Sequence, residues 1–173
     1  MADAPETADE AWLSDLGPLT SNKGEPGPET TLDPSALHPR ELAHLGDAVY
    51  ELFVRQHALT VCRSRQSDEL HRYTTARCKG TFQAGLLQHL LQQLTEAEQQ
   101  LMRRARNTPV SVRRRSEQAV HRQATAFEAL IGWWYLTDRL RLNALLRTLR
   151  GLMDAEETAT AMAAPVSEGQ HPD

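Results

Sequence analysis

From Pro39 to Leu149 the apolar side chains recur every three or four residues, and nowhere does the chain alternate apolar and polar residues as a half-buried strand would. That period admits an all-α fold and little else. Leu42, Leu45, Val49, Leu52 and Phe53 predict a helix over 39–58, with Pro39 at a first-turn position where its missing N–H costs nothing. Ser67, followed by Asp68 and Glu69, reads as a capped start, and Phe82, Leu86, Leu87, Leu90, Leu91 and Leu94 carry the next stripe, so two helices are expected within 67–94. Thr95-Glu96-Ala97-Glu98 has capping-box spacing and predicts a short helix to Arg106. Val120, Ala124, Phe127, Leu130, Ile131 and Trp134 form another stripe, and Leu142, Leu145, Leu146 and Leu149 the last, starting near Thr137 or Asp138. Between Asn107 and Glu117 there is Pro109 and an arginine triplet but no apolar period, which predicts an exposed loop.

The helical stripes fill residues 37–153, a length suited to one core. Residues 1–36 are rich in Pro, Gly, Thr and acids, and residues 154–173 in small and polar types; neither buries enough apolar surface to offset its ordering entropy, so a disordered arm and tail are expected. Trp12, Leu13 and Leu16 make at most one helical turn in the arm. No apolar run reaches the roughly 20 residues that span a bilayer, and Met1–Glu10 is acidic where an export signal would be basic, so a cytoplasmic protein is expected. Cys62 and Cys78 lack the partners of a zinc site or disulfide framework and read as ordinary thiols.

The charge is divided. Residues 38–150 hold 18 Lys and Arg against 10 Asp and Glu, whereas the flanks hold one Lys and 13 acids. A basic centre suits a polyanionic partner, because cationic side chains gain affinity for nucleic acid by displacing its counterions.

His44, Asp47, Glu51 and Arg55 follow three- and four-residue steps along one stripe of the first helix, and His121, Thr125, Glu128, Gly132 and Tyr135 along a later one. Gly46 and Gly132 lie beside the acids in helix interiors, where each costs about 1 kcal/mol against Ala; a close helix crossing would justify them. If those faces cross, Asp47 and Glu128 converge, and converging carboxylates beside a basic surface suit Mg²⁺. Acids on a polar helix face are nevertheless usually solvated, and Glu51 has Arg55 at ion-pair spacing. Spacing alone leaves both readings open.

Leu45-Gly46-Asp47-Ala48-Val49 resembles the signature core of ribonuclease III, and Phe127-Glu128-Ala129-Leu130-Ile131-Gly132 resembles its second motif, in the same order. With Tyr50-Glu51-Leu52, Arg106-Asn107 and no further RNA-binding domain, residues 38–150 resemble the Mini-ribonuclease III family. The resemblance implies an all-helical endonuclease domain paired as a two-fold homodimer, with Mg²⁺-assisted hydrolysis of double-stranded RNA to 5′-phosphate and 3′-hydroxyl ends. It also implies maturation of large-subunit (23S) ribosomal RNA precursor, with a ribosomal protein or pre-ribosomal particle as a further partner. Asp47 and Glu128 are then the catalytic and metal-binding carboxylates, Glu51 is a candidate third ligand and Thr125 a supporting hydroxyl. Larger ribonucleases III carry a Glu where this chain has Ala43 and an Asp where it has Thr125, although the Thr-Ala-Phe-Glu-Ala form is itself similar to the Mini class. The thinner ligand set leaves a rival reading, a non-catalytic RNA-binding or ribosome-associated protein on the same fold.

For RNA, the expected contacts are Arg103, Arg104, Arg106 and Asn107, then Arg113-Arg114-Arg115 and Arg122, with Arg72, Arg77 and Lys79 as a second group. Trp133, Trp134 and Tyr135 are expected at the dimer interface. None of the seven histidines is assigned a catalytic role.

Overall fold

The computed structural model describes residues 33–64, 66–108 and 115–163, without the side chains of 115, 116 and 157–163. Every regular element among them is helical. A 3₁₀ turn at Pro34–Ala36 precedes α1 (Pro39–Val61), α2 (Ser67–Arg77), α3 (Gly80–Leu90), a 3₁₀ turn at Leu91–Gln93, α4 (Glu96–Arg106), α5 (Arg115–Thr137) and α6 (Arg139–Ala163). Most of the arm, the Trp12–Leu16 turn, Arg113 and Arg114 lie outside the described residues.

Local chemistry sets the helix starts. At α1, His38 Nδ1 accepts from Arg40 N while the Glu41 carboxylate accepts from His38 N, with Pro39 in the first turn. At α4 the Thr95 hydroxyl accepts from Glu98 N and the Glu98 carboxylate accepts from Thr95 N, as the spacing predicts. At α2 the expected cap is corrected. Gln66 is the capping residue and makes no side-chain cap bond, while the Glu69 carboxylate accepts from Ser64 N and Oγ.

Two long helices, α1 and α5, form the centre, and α3 and α4 pack on α5. Leu42, Tyr50, Val54, Phe127, Leu130 and Ile131 are fully buried along this contact, each apolar side chain of that size contributing about 1.5–3 kcal/mol. The crossing is backbone to backbone. A Cβ on Gly46 would stand 1.8 Å from the Glu128 carbonyl oxygen, and one on Gly132 would stand 2.0 Å from that of Leu42. The propensity cost of two helical glycines, about 1 kcal/mol each, is small beside the collision that any side chain would cause.

Three expectations change here. α6 continues past Met153 to Ala163 rather than giving way to a loose tail, because its sequence is rich in alanine, a strong helix former, and because Asp154 and Glu156 are held from the core. Buried His57 lies 2.6 Å by Nδ1 from the Tyr73 hydroxyl and 2.9 Å by Nε2 from Asp154, and Arg77 lies 3.6 Å from Glu156. Trp134 belongs to the core, 3% exposed, with its Nε1–H donating to the Glu98 carboxylate at 2.7 Å; Trp133 and Tyr135 are half-buried against the same core. In the segment expected to be an exposed loop, Thr108 is buried with its hydroxyl donating to Arg104 O, and α5 already begins at Arg115.

Candidate active site

The α1–α5 crossing leaves a cavity of about 340 Å³ on its polar side. Arg40, Ala43, His44 and Asp47 enter from α1, and His121, Arg122, Thr125 and Glu128 from α5, with Ala105 and Thr108 closing the end near α4. On each wall the residues lie on one helical face, Ala43 and His44 one turn before Asp47 and Thr125 one turn before Glu128, so the two glycines that let the backbones touch also set the two acids on facing walls.

The electrostatics follow from that placement. Burial, and then the negative charge of Asp47, push the Glu128 carboxyl up to about 7. Asp47 is itself raised, first by partial desolvation and then by Glu51, with His44 acting in the opposite direction. Neither acid has an ion-pair partner among the described residues. Gln83 of α3 faces Glu128 and favours its anion, but the contact stops short of a full hydrogen bond, since the buried Nε2 of Gln83 has no partner among the described residues.

Two poorly compensated carboxylates lining one polar cavity have the chemistry of a hard-cation site. Among the described residues no group of three or more His, Cys, Asp and Glu is gathered as a cage. Mg²⁺ needs none, because it binds through one or two carboxylates and completes its shell with waters and phosphate oxygens.

The other site residues divide. Thr125 lines the cavity with the acids. Glu51 does not; its carboxylate accepts from Arg55 Nε and Nη2 at 2.9 and 2.6 Å, the local pair that its spacing allowed, and reaches Asp47 only through its field. Arg103, Arg106 and Asn107 line a second cleft together with Arg122, which also borders the first, while Arg104 and Asn107 face a third depression beside the α1 start. Arg72 and Lys79 are exposed on α2 and at the α3 start and line neither the acid cavity nor the arginine cleft. Arg77 leaves the expected RNA surface. It is 8% exposed, with its guanidinium 3.7 Å from the Tyr73 ring centroid and its carbonyl accepting from the Tyr50 hydroxyl. The helix backbone includes Arg115, but its side chain is outside the described set.

Sequence reasoning passed over Arg40, His44 and His121, which share the cavity walls with the acids. The signal available for the histidines was their place on the stripes of Asp47 and Glu128; Gln83 had none, because it comes from a third helix. Neither Cys62 nor Cys78 is in a disulfide, and burial followed by the charges of Glu51 and Asp47 pushes Cys78 up to about 12, an inert thiol.

The model of the ribonuclease III domain matches residues 40–139 of this chain. A Mini-ribonuclease 3 of Thermosynechococcus vestitus is 37% identical over 139 residues, 80% of this chain and 91% of that protein. The chain belongs to the Mini-ribonuclease III family. Another Mini-ribonuclease 3, of Gloeobacter violaceus, is 46% identical over 111 residues, covering 64% of this chain and 81% of its own. The crystal structure of protein FN1578 from Fusobacterium nucleatum superposes with a TM-score of 0.60 at 26% identity, over 70% of this chain and 95% of that one. Its match agrees with the all-helical ribonuclease III fold. Mini-ribonuclease III is an endoribonuclease family, and the two motif acids of this member are the pair that meets in the cavity.

Proposed function

We propose that this Mini-ribonuclease III is a Mg²⁺-dependent endoribonuclease that cuts double-stranded RNA, with Asp47 and Glu128 holding the cation. The observation that carries the reading is the meeting of these two acids, neither ion-paired among the described residues, in one cavity bordered by Arg40 and Arg122. Bound there, Mg²⁺ would supply Lewis-acid stabilisation of the attacked phosphate and an activated water.

The remaining steps belong to the chain. Arg122 borders both the acid cavity and the arginine cleft, so a backbone held by Arg103, Arg106 and Asn107 leads phosphate by phosphate toward the acids. Arg40 and Arg122 offset charge on the scissile phosphate. The Thr125 hydroxyl, on the cavity wall one turn before Glu128, orients the attacking water. The products carry 5′-phosphate and 3′-hydroxyl ends. An A-form duplex shows its shape, phosphates and 2′-hydroxyls rather than its base edges, and arginines suit that recognition. The protein works as a two-fold homodimer in the cytoplasm, on a stem of the 23S ribosomal RNA precursor within a pre-ribosomal particle. No described helix is long and apolar enough to cross a membrane.

The test is cleavage of a labelled precursor large-subunit rRNA stem with Mg²⁺, beside an Asp47→Asn variant and an EDTA control. Specific cuts that disappear in both controls are expected, the variant losing at least about a hundredfold in rate, the scale of removing one preorganised charge-stabilising group. Binding without cleavage across several structured RNAs would sink the proposal in favour of a non-catalytic RNA-binding protein.

A further inference from the structure

Gln83 is 1% exposed, and its Nε2 is a buried donor without a partner among the described residues. Buried amide groups are nearly always hydrogen-bonded, so one left open beside a functional site calls for an account. Its position supplies one. At the start of α3 a Cβ on Gly80 would stand 3.5 Å from Ala124 Cβ and 3.6 Å from Val120 Cγ1, which brings α3 onto α5 without a gap. Gln83 lies three residues beyond Gly80 and Glu128 four beyond Ala124, so the same register carried one turn further sets the amide beside the carboxyl.

We propose that Gln83 is a positioning residue for Glu128: when a cation is held by the two acids, the open Gln83 amide donates to one Glu128 carboxylate oxygen and leaves the other to face Asp47 and the cation. This rests on the metal-binding reading above. Residues behind a ligand commonly matter to metal affinity because they fix the ligand's orientation before the metal arrives. A glutamine suits the place better than a cation, since it can orient the carboxylate without cancelling the charge that attracts the metal. It also explains why a polar side chain is kept on the packed face of α3, where Leu86, Leu87 and Leu90 follow.

The experiment is Mn²⁺ binding to the full chain, followed by the electron paramagnetic signal of the free ion, for wild type, Gln83→Met, Gln83→Asn, Asp47→Asn and Glu128→Gln. Gln83→Met keeps the side-chain shape and is expected to bind Mn²⁺ about tenfold more weakly, the lower end of what losing such a support costs. Its cleavage is expected to recover when Mn²⁺ is raised about tenfold, with KM for RNA unchanged, a rescue that general damage to the fold would not give. Should the Met variant fail to fold, Gln83→Asn, which withdraws the amide by one methylene, is expected to show the same weakened binding. Wild-type Mn²⁺ affinity in the folded Gln83 variants, with Asp47→Asn and Glu128→Gln impaired, would overturn the role of Gln83 alone. Wild-type affinity in both carboxylate variants would overturn the site itself, and the positioning role with it.

Discussion

Gly46 and Glu128 are joined through the backbone: the Glu128 carbonyl oxygen occupies the space a Gly46 side chain would need, at 1.8 Å from the nearest Cβ position. The same crossing brings Gly132 against Leu42 O, so the contact that assembles the core is also the one that brings the two acids to one cavity. Gly46→Ala and Gly132→Ala each gain helix propensity worth about 1 kcal/mol but force rigid backbones apart. A net loss of at least about 2 kcal/mol is expected from overpacking of this kind, together with a loss of cleavage. Urea unfolding of the two variants measures it, and an unchanged midpoint in either would contradict the crossing.

Glu128 predicts a pH dependence. Its carboxyl titrates near 7 in the folded, metal-free protein against an ordinary value of 4.5. Below 4.5 both folded and unfolded chains hold the proton; between 4.5 and 7 only the folded chain does, so stability falls as pH rises through that window and levels off above it. The loss attributable to Glu128 is up to about 3 kcal/mol, from about 1.4 kcal/mol per pH unit. Unfolding in EDTA at pH 5 and pH 8 should show this difference shrinking in Glu128→Gln. Equal pH dependence in the two proteins would remove Glu128 as its source. On the proposed reading Mg²⁺ would replace the proton, so its affinity should rise with pH through the same range.

Two groups of arginines should behave oppositely. Arg103→Ala and Arg106→Ala remove exposed side chains of the arginine cleft, and each is expected to weaken duplex RNA binding and reduce the salt slope by about one counterion. Arg77→Ala removes a guanidinium stacked on Tyr73 and should lower stability while leaving the salt slope alone. Binding titrations at several salt concentrations, beside thermal melts, separate the two. A reduced slope for Arg77→Ala would place it back on the RNA surface.

Trp134 reaches across the core to Glu98, which also accepts from Arg141 Nη2 at 2.7 Å and from Thr95 N at 2.8 Å. Trp134→Phe keeps an aromatic ring but leaves a buried carboxylate oxygen one donor short. A loss of about 1–3 kcal/mol is expected, with folded-state cleavage unchanged. If Trp134 instead served a subunit interface, the variant would shift the dimer dissociation constant measured by analytical ultracentrifugation.

The helices were legible because their signals are local. Apolar period, the Thr95–Glu98 box and Pro39 at a first turn act within a few residues of themselves, and α4 ends at Arg106 as its sequence predicts. The Gly-Asp and Glu-x-x-x-Gly stripes pointed to a crossing and to two acids sharing it, because glycine in a helix has a cost that only close packing offsets.

The sequence by itself determined the helical elements, the two glycine-bearing faces and the pair of acids. Tertiary structure alone decided which charged and polar side chains join them. Arg77 looked like its exposed neighbours until Tyr73 and Phe82 closed over it, Glu51 was taken by Arg55, the end of α6 was held through His57 and Arg77, and Gln83 arrived beside Glu128 from a helix 45 residues earlier. The physical reason is reach. Helix formation and capping are settled by bonds between near neighbours, whereas the partner of a long polar side chain depends on whichever distant helix packs against it.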